Sequence, residues 1–359
     1  MYKLIRPLLF KFDAETTHNQ MLALGVFLSS IGAQHLIKSF FNFEHPTLES
    51  EVFGIKFKNS LGTSAGFDKA GKLLNLLPAL GFSHMQVGDV SALPHSGNPR
   101  PRLFRLPKDK AIINRLGQNN KGADFIAALL KDRKFGSPVF VSLVKTPDPR
   151  IVGEKAVEDF VTCFRKLSPH ADISVINISC PNTAEGKTFE EPESLNVLLD
   201  EIIRAKMALN LQKPILVKIS PDLSLEKLDK ILEICEGKKI DGYILTNTST
   251  ARENLNTNAS VVAQIGRGGL SGQPIREKST NLIRHAYKQL KRPCIIGLGG
   301  VDSAEAAYEK IKAGASLVQL YTGLIYEGPG LVKKINQGLV ELLKRDGFKN
   351  ISEAVGKDA

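Results

Sequence analysis

A thiol stands at position 180 between two amides. The stretch "VINISCPNT" (175–183) begins as an apolar, β-favouring run and then brings Cys180, Pro181 and Asn182 together where the chain must turn, three residues after Asn177. A thiol, with a reference pKa near ~8.5, is a far better base at neutral pH than an unassisted hydroxyl. A cysteine at a strand end can therefore be a proton acceptor, or simply a small core residue ahead of a helix-stopping proline.

Other residues of chemical interest share this setting. Asn114, Asn177, Asn182 and Asn247 each offer two donors and one acceptor without charge, which suits a ligand whose edge alternates N–H and C=O, such as a pyrimidine or its dihydro form. Lys218 lies inside "ILVKIS", where an unpaired ammonium would be costly, so an anion that develops during reaction is its natural partner. Lys69 is placed to hold a carboxylate. The glycine-rich segments "GLGGV" at 297 and "YTGLIYEGPG" at 321 let main-chain amides approach an anion, which points to a phosphate-bearing ligand. "GLGGV" is not a dinucleotide fingerprint.

These residues fall at regular places in a larger pattern. From about residue 46, β-type apolar runs alternate with helix-type stretches, and the strand candidates number eight: "NSLGTSA" at 59, "SHMQVG" at 83, "PVFVSLV" at 138, "ISVINIS" at 173, "PILVKIS" at 214, "GYILTN" at 242, "PCIIGLG" at 293 and "SLVQLY" at 316. Helices are expected between them, for example over 121–133, 154–167, 224–236 and 303–313. Eight such units predict an α/β fold, a TIM (β/α)8 barrel over 46–359, with chemistry at the C-terminal strand ends. Those ends are consistently polar or small, from Ser64, Ala65 and Gly66 through to Tyr321, Thr322 and Gly323.

Residues 1–45 stand apart as a helical extension. "YKLIRPLLFKF" and, after the expected N-cap Asp13, "MLALGVFLSS" carry large apolar residues at helical spacing, with Lys3, Arg6, Lys11 and Lys38 nearby. They are too short to span a bilayer but could lie in its interface, or else cap the barrel or form a dimer contact. Lys plus Arg exceed Asp plus Glu by 48 − 37 = 11, which favours anionic partners, while scattered basic residues and the absence of tryptophan argue against nucleic acid. The four cysteines show no C-x-x-C spacing, so neither zinc nor a disulfide framework is expected.

Several motifs in fixed order give the chain a family resemblance. "GTSAGFDKAGK" at 62, "GNPRPRLFRLP" at 97, "INRLGQNNKG" at 113, "INISCPNT" at 176, "VKISPDLS" at 217, "TNTS" at 246, "GRGGLSGQPIREKST" at 266, "IIGLGGV" at 295 and "KIKAGASLVQLYTGLIYEGP" at 310 resemble dihydroorotate dehydrogenase. The N-terminal helices, including "FDAETTH", look like the extension of its class 2, quinone-using, membrane-associated members. The resemblance implies oxidation of dihydroorotate to orotate in pyrimidine biosynthesis, and a peripheral place on the cytoplasmic side of a bacterial inner membrane.

It also implies roles for particular residues. FMN would be held by Ala65, Gly66, Lys69, Asp89, Ser142, Asn177, Lys218, Thr246, Ser271, Gly272, Gly300, Tyr321 and Thr322. Dihydroorotate would be held by Lys69, Asn114, Arg115, Leu116, Gly117, Gln118, Asn177, Asn182, Asn247 and Thr248. In the family a base takes a proton from C5 of dihydroorotate while hydride leaves C6 for the flavin; Cys180 matches the base. His18 and Arg105 match positions on the quinone path, and no metal is implied. Four residues depart from the class 2 pattern: Cys180 replaces Ser, Asp89 replaces Thr or Ser, Ser142 replaces Asn, and Gln118 replaces Phe. Two further readings stay open, a flavoprotein acting on another cyclic amide and a non-catalytic membrane-associated barrel.

Overall fold

The computed structural model describes residues 2–179, 188–292 and 294–359. The apolar runs form eight parallel strands, β1 (Leu61–Thr63), β2 (Met85–Val90), β3 (Val139–Leu143), β4 (Ile173–Asn177), β5 (Ile215–Ile219), β6 (Gly242–Leu245), β7 (Ile295–Leu298) and β8 (Ala315–Leu320). They pair in the order β1-β8-β7-β6-β5-β4-β3-β2, and Gly62 bridges His84 to bring the two edge strands together. The expected TIM barrel is therefore present.

Alternation along the strands sorts the core into two parts. Phe140, Ile173, Val175, Leu216, Ile244, Ile296 and Leu317 fill the barrel interior, while their strand neighbours such as Val141, Ile176 and Val217 pack outward against the helices. Because side chains repeat every two residues, the next inward positions are Ser142, Asn177, Lys218, Thr246, Leu298 and Gln319. The apolar floor thus dictates which polar residues face the barrel mouth.

The expected helices appear as Ala123–Leu130, Glu154–Leu167, Leu225–Gly237 and Ala304–Lys312. The first is shorter than its pattern because Lys131 leaves the helical conformation and Asp132 takes a positive φ. Five short strands have no counterpart in the sequence reading. A hairpin, Ser50–Val52 with Ile55–Phe57, plugs the barrel bottom with Val52 and Phe57. A three-stranded antiparallel sheet, Leu103–Leu106, Ala111–Asn114 and Gly269–Gly272, is built from remote segments.

The extension contains three helices rather than two: α1 (Tyr2–Leu9), α2 (Ala14–Ser30) and α3 (Gln34–Phe41). Asp13 is the N-cap of α2, accepting from the Thr16 amide at 2.8 Å. Between α2 and α3 the chain bends by 114°, and among the described residues no single helix is long and apolar enough to cross a membrane. The extension is tied to the barrel by polar contacts: Tyr2 Oη donates to the Ile325 carbonyl at 2.6 Å, Arg6 to the Tyr326 carbonyl at 2.8 Å, and buried Arg102 pairs with buried Glu15 at 2.8 Å.

Candidate active site

Strand register builds the site first. Asn177 and Lys218 stand opposite each other at the ends of β4 and β5, one layer above Val175 and Leu216. Asn247, just past β6, donates to the Ser179 hydroxyl at 3.0 Å and carbonyl at 3.1 Å, and Ser179 in turn donates to Asn177 Oδ1 at 3.0 Å. This amide network gives the mouth fixed donors and acceptors without net charge. Asn114 is brought in from the antiparallel sheet, its Nδ2 donating to the Gly269 carbonyl at 3.3 Å.

A polar pocket opens above this layer. Its walls contain Ala65, Gly66, Lys69 and Asp89 on one side. Asn114, Leu116, Gly117 and Gln118 descend from the loop beside the antiparallel sheet. Lys218, Thr246, Asn247, Thr248, Ser271, Gly272, Gly300, Tyr321 and Thr322 close it on the others. Seventeen of the expected site residues therefore share one cavity. Ser271 and Thr322 hydroxyls meet at 2.8 Å near its glycine-rich end.

Three expected residues stand elsewhere. The Arg115 side chain is turned away: its guanidinium donates to the carbonyls of Ile265 and Pro101 and lies 4.6 Å from the centre of the Phe104 ring. Its task there is to fasten the sheet to the C-terminal end of the helix Ala259–Ile265, so only its main chain can serve a ligand. Ser142 and Asn177 sit behind the pocket wall, donating to Asp89 Oδ1 at 2.6 Å and 2.9 Å. Asp89 itself reaches the cavity because β2 bulges after Val87. The bulge requires Gly88, since a side chain there would lie 2.6 Å from the Ser142 carbonyl and the φ is +110°. Cys180 and Asn182 lie outside the described residues.

Two buried amides test what the pocket can hold. Gln319, fully buried on β8 and lining the cavity, has neither amide atom hydrogen-bonded, and buried Gln118 leaves its Oε1 without a partner. Buried polar atoms are seldom left so. A planar ring with both N–H and C=O on its edge, lying on the cavity floor, answers that need, and FMN is such a group. Gln319 was readable from "SLVQLY", since it shares a face with Leu317; Leu103 and Ile112, which also line the pocket, come from the unforeseen sheet.

Behind the polar pocket lies an apolar cavity of about 300 Å³ between α1, α2 and the barrel. Met21, Leu22, Leu28, Phe67, Leu73 and Leu76 line it, with His18 and Arg105 among its few polar residues. Leu103, Ile112 and Tyr321 belong to both cavities. His18 packs against Phe67 at 5.7 Å and Phe67 against Tyr321 at 5.4 Å, an aromatic partition between the two spaces. Burial holds the His18 imidazole below its usual range, so it is neutral at pH 7. Arg105 donates to the carbonyls of Leu9 and Phe12 and covers the Phe10 ring at 4.6 Å.

Fold and site define a (β/α)8-barrel enzyme whose polar pocket at the strand ends shares a wall with an apolar cavity under an N-terminal helical extension. The dihydroorotate dehydrogenase profile matches residues 47–343, and the chain belongs to that family. It is 41% identical over 363 residues to the dihydroorotate dehydrogenase (quinone) of Roseiflexus castenholzii, covering 100% of this chain and 97% of that one. With the protein of the same name from Christiangramia forsetii it shares 45% over 344 residues, 95% of this chain and 99% of the relative. Among solved structures, DHODH from Eimeria tenella in complex with ferulenol superposes with a TM-score of 0.85 at 29% identity, covering 96% of each chain.

Proposed function

We propose that this chain oxidises dihydroorotate to orotate and passes the electrons through FMN to a membrane quinone, a step of pyrimidine biosynthesis. The observation that carries this reading is the wall of Leu103, Ile112 and Tyr321 shared by the polar pocket and the apolar cavity. An anionic substrate and an apolar acceptor need opposite solvents, and electrons exchanged between them need a common boundary. Both conditions are met here.

Bound FMN would supply the hydride acceptor and the relay to quinone. The chain's own residues orient and move protons. Asn114, Asn182, Asn247 and Thr248 read the alternating edge of the pyrimidine ring while Asn177, behind the wall, holds Asn247 and Asp89 in place; Lys69 holds the substrate carboxylate, and Cys180 takes the proton from C5. Lys218, directly across from Asn177, stabilises negative charge as it develops on the ring system beside it. Ser271, Gly272, Gly300 and Thr322 hold the phosphate, and the apolar cavity beside His18 and Arg105 admits the quinone.

Membrane association completes the reading. Leu4, Leu8, Phe27, Ile31, Leu36 and Phe40 are exposed on the extension, whose basic residues include Lys3, Lys11 and Lys38. Such a surface lies well in a headgroup boundary. A second reading, another dihydropyrimidine-like cyclic amide as substrate, is favoured by Asp89 and Gln118, two acceptors that the pocket presents. An absorption spectrum of the purified protein before and after anaerobic dihydroorotate tests both. A yellow protein that bleaches supports the first; a yellow protein bleached only by another cyclic amide supports the second; a colourless protein that takes up no FMN refutes both.

A further inference from the structure

The helix Ala304–Lys312 hides a lysine that the reaction outlined above does not use. Lys310 is fully buried, and its Nζ donates to Ser279 Oγ at 2.9 Å, Thr280 Oγ1 at 3.1 Å and the Arg276 carbonyl at 3.5 Å. No carboxylate pairs with it among the described residues. Glu309, its neighbour in sequence, is engaged by Arg276 at 2.9 Å. An ammonium buried on hydroxyls and a carbonyl alone is costly unless negative charge stands close by.

The network presses against the glycine loop at the end of β7. Ser279 Oγ donates to the carbonyl of Leu298, the last residue of that strand, at 2.7 Å. Three glycines of the segment rest on three members of the network: a Cβ added at Gly297 would stand 3.2 Å from Lys310 Cβ, one at Gly299 3.2 Å from Ser279 Oγ, and one at Gly300 2.4 Å from Arg276 Cβ. On its other side this loop lines the polar pocket through Gly299, Gly300 and Val301, beside Thr322. The lysine and the pocket therefore lie on opposite faces of one stretch of main chain.

We propose that Lys310 is a positioning residue for the phosphate end of the pocket: through Ser279 it fixes the glycine loop after β7, and it sets a positive charge beneath the place where a phosphate monoester is bound. This rests on the FMN reading given above. Burial, helped by the charge of Arg276 and opposed by Glu309, lowers the ammonium to about 7, so in the ligand-free protein the charge is only partly present at neutral pH. A phosphate on the loop favours the charged form, and binding then takes up a proton. The sign follows: the contribution of Lys310 to phosphate binding is full below pH 7 and is lost as pH rises through the higher value of the bound state.

The test compares FMN with riboflavin, which lacks the phosphate, on the full-length wild-type chain and on Lys310→Met, by equilibrium fluorescence titration at pH 6 and pH 8.5. Lys310→Met should weaken FMN about tenfold or more at pH 6 and clearly less at pH 8.5, while riboflavin changes by less than about threefold. Titrating the same FMN on both proteins cancels the ionisation of its own phosphate. Should Lys310→Met fail to fold, Ser279→Ala keeps the charge and cuts the link to Leu298; it should weaken FMN selectively by a smaller factor and retain the pH dependence. Equal losses for FMN and riboflavin in either variant, or a wild-type to Lys310→Met ratio that does not change with pH, overturn the proposal while leaving the cofactor reading intact. A wild-type chain that binds no FMN overturns both.

Discussion

The Ser142 hydroxyl donates to the Asp89 carboxylate at 2.6 Å, joining two positions at which the sequence differs from the pattern its family resemblance implies. Ser142 and Asn177 both bind Oδ1, so the carboxylate is held from behind while its residue lines the pocket. Such a charge opposes the negative charge of a reduced flavin, the charge that Lys218 favours. Asp89→Asn keeps the size and removes the charge. It should raise the flavin midpoint potential by on the order of 30 mV, a tenfold change for a two-electron couple. Spectroelectrochemical titration checks this, and an unchanged potential would put Asp89 outside the flavin's field.

Cys180 is expected to be the base that removes the C5 proton. Cys180→Ala should leave FMN and orotate binding nearly intact and slow flavin reduction by roughly 10²–10⁴. Cys180→Ser should be slow near neutral pH and recover as pH rises, because a hydroxyl needs help that a thiol does not. Stopped-flow bleaching across pH separates the two, and a Cys180→Ala protein reduced at the wild-type rate would show that the proton leaves by another route.

The exposed apolar face of the extension should govern quinone use rather than substrate oxidation. Replacing Leu4, Leu8, Phe27 and Phe40 together by serine removes exposed side chains only, and leaves untouched the Glu15–Arg102 pair and the Tyr2 and Arg6 bonds that tie the helices to the barrel. Binding to anionic vesicles should fall at least tenfold, and quinone turnover with it. Bleaching by dihydroorotate should persist. Vesicle co-sedimentation that stays at the wild-type level would make the extension a cap alone.

His84 should make the fold acid-sensitive. Its ring is fully buried, stacked on Phe140 at 4.9 Å, and burial lowers its pKa to about 3. An unfolded chain takes up the proton near the ordinary histidine value of ~6.5, so the stability contributed by neutral His84 is complete above that pH and is lost as pH falls toward about 3. Between pH 6.5 and 5 the loss is about 2 kcal/mol. In His84→Leu the melting temperature should fall less steeply between pH 7 and 5; an identical slope would exclude His84 as the cause.

Much of this was determined locally. Most barrel strands are marked by their own apolar run, since a parallel strand covered on both faces must be apolar nearly throughout; Leu61–Thr63 is the exception. A lysine inside such a run, Lys218, an amide at its end, Asn177, or one just past it, Asn247, are conspicuous because the sequence around them leaves no bland use for them. Side-chain alternation then carries Lys218 to the barrel mouth once Leu216 is known to face inward. The glycine loops and the N-cap Asp13 were legible for the same reason, as their constraint lies within a few residues.

What the tertiary structure alone decided involves partners distant in the chain. The strand Gly269–Gly272 has no apolar run of its own and exists because Ala111–Asn114 offers it a ladder, which carries Asn114, Leu103 and Ile112 to the pocket. The Arg115 guanidinium matched a substrate position by motif, yet carbonyls of Ile265 and Pro101 lie within reach only after folding and hold it elsewhere. Asp89 lies far in sequence from Ser142 and Asn177, and only the adjacency of β2, β3 and β4 turns them into one hydrogen-bonded group. The wall shared by the two cavities belongs to the same class, because a boundary between a polar and an apolar space is a property of several segments packed together and of none of them singly.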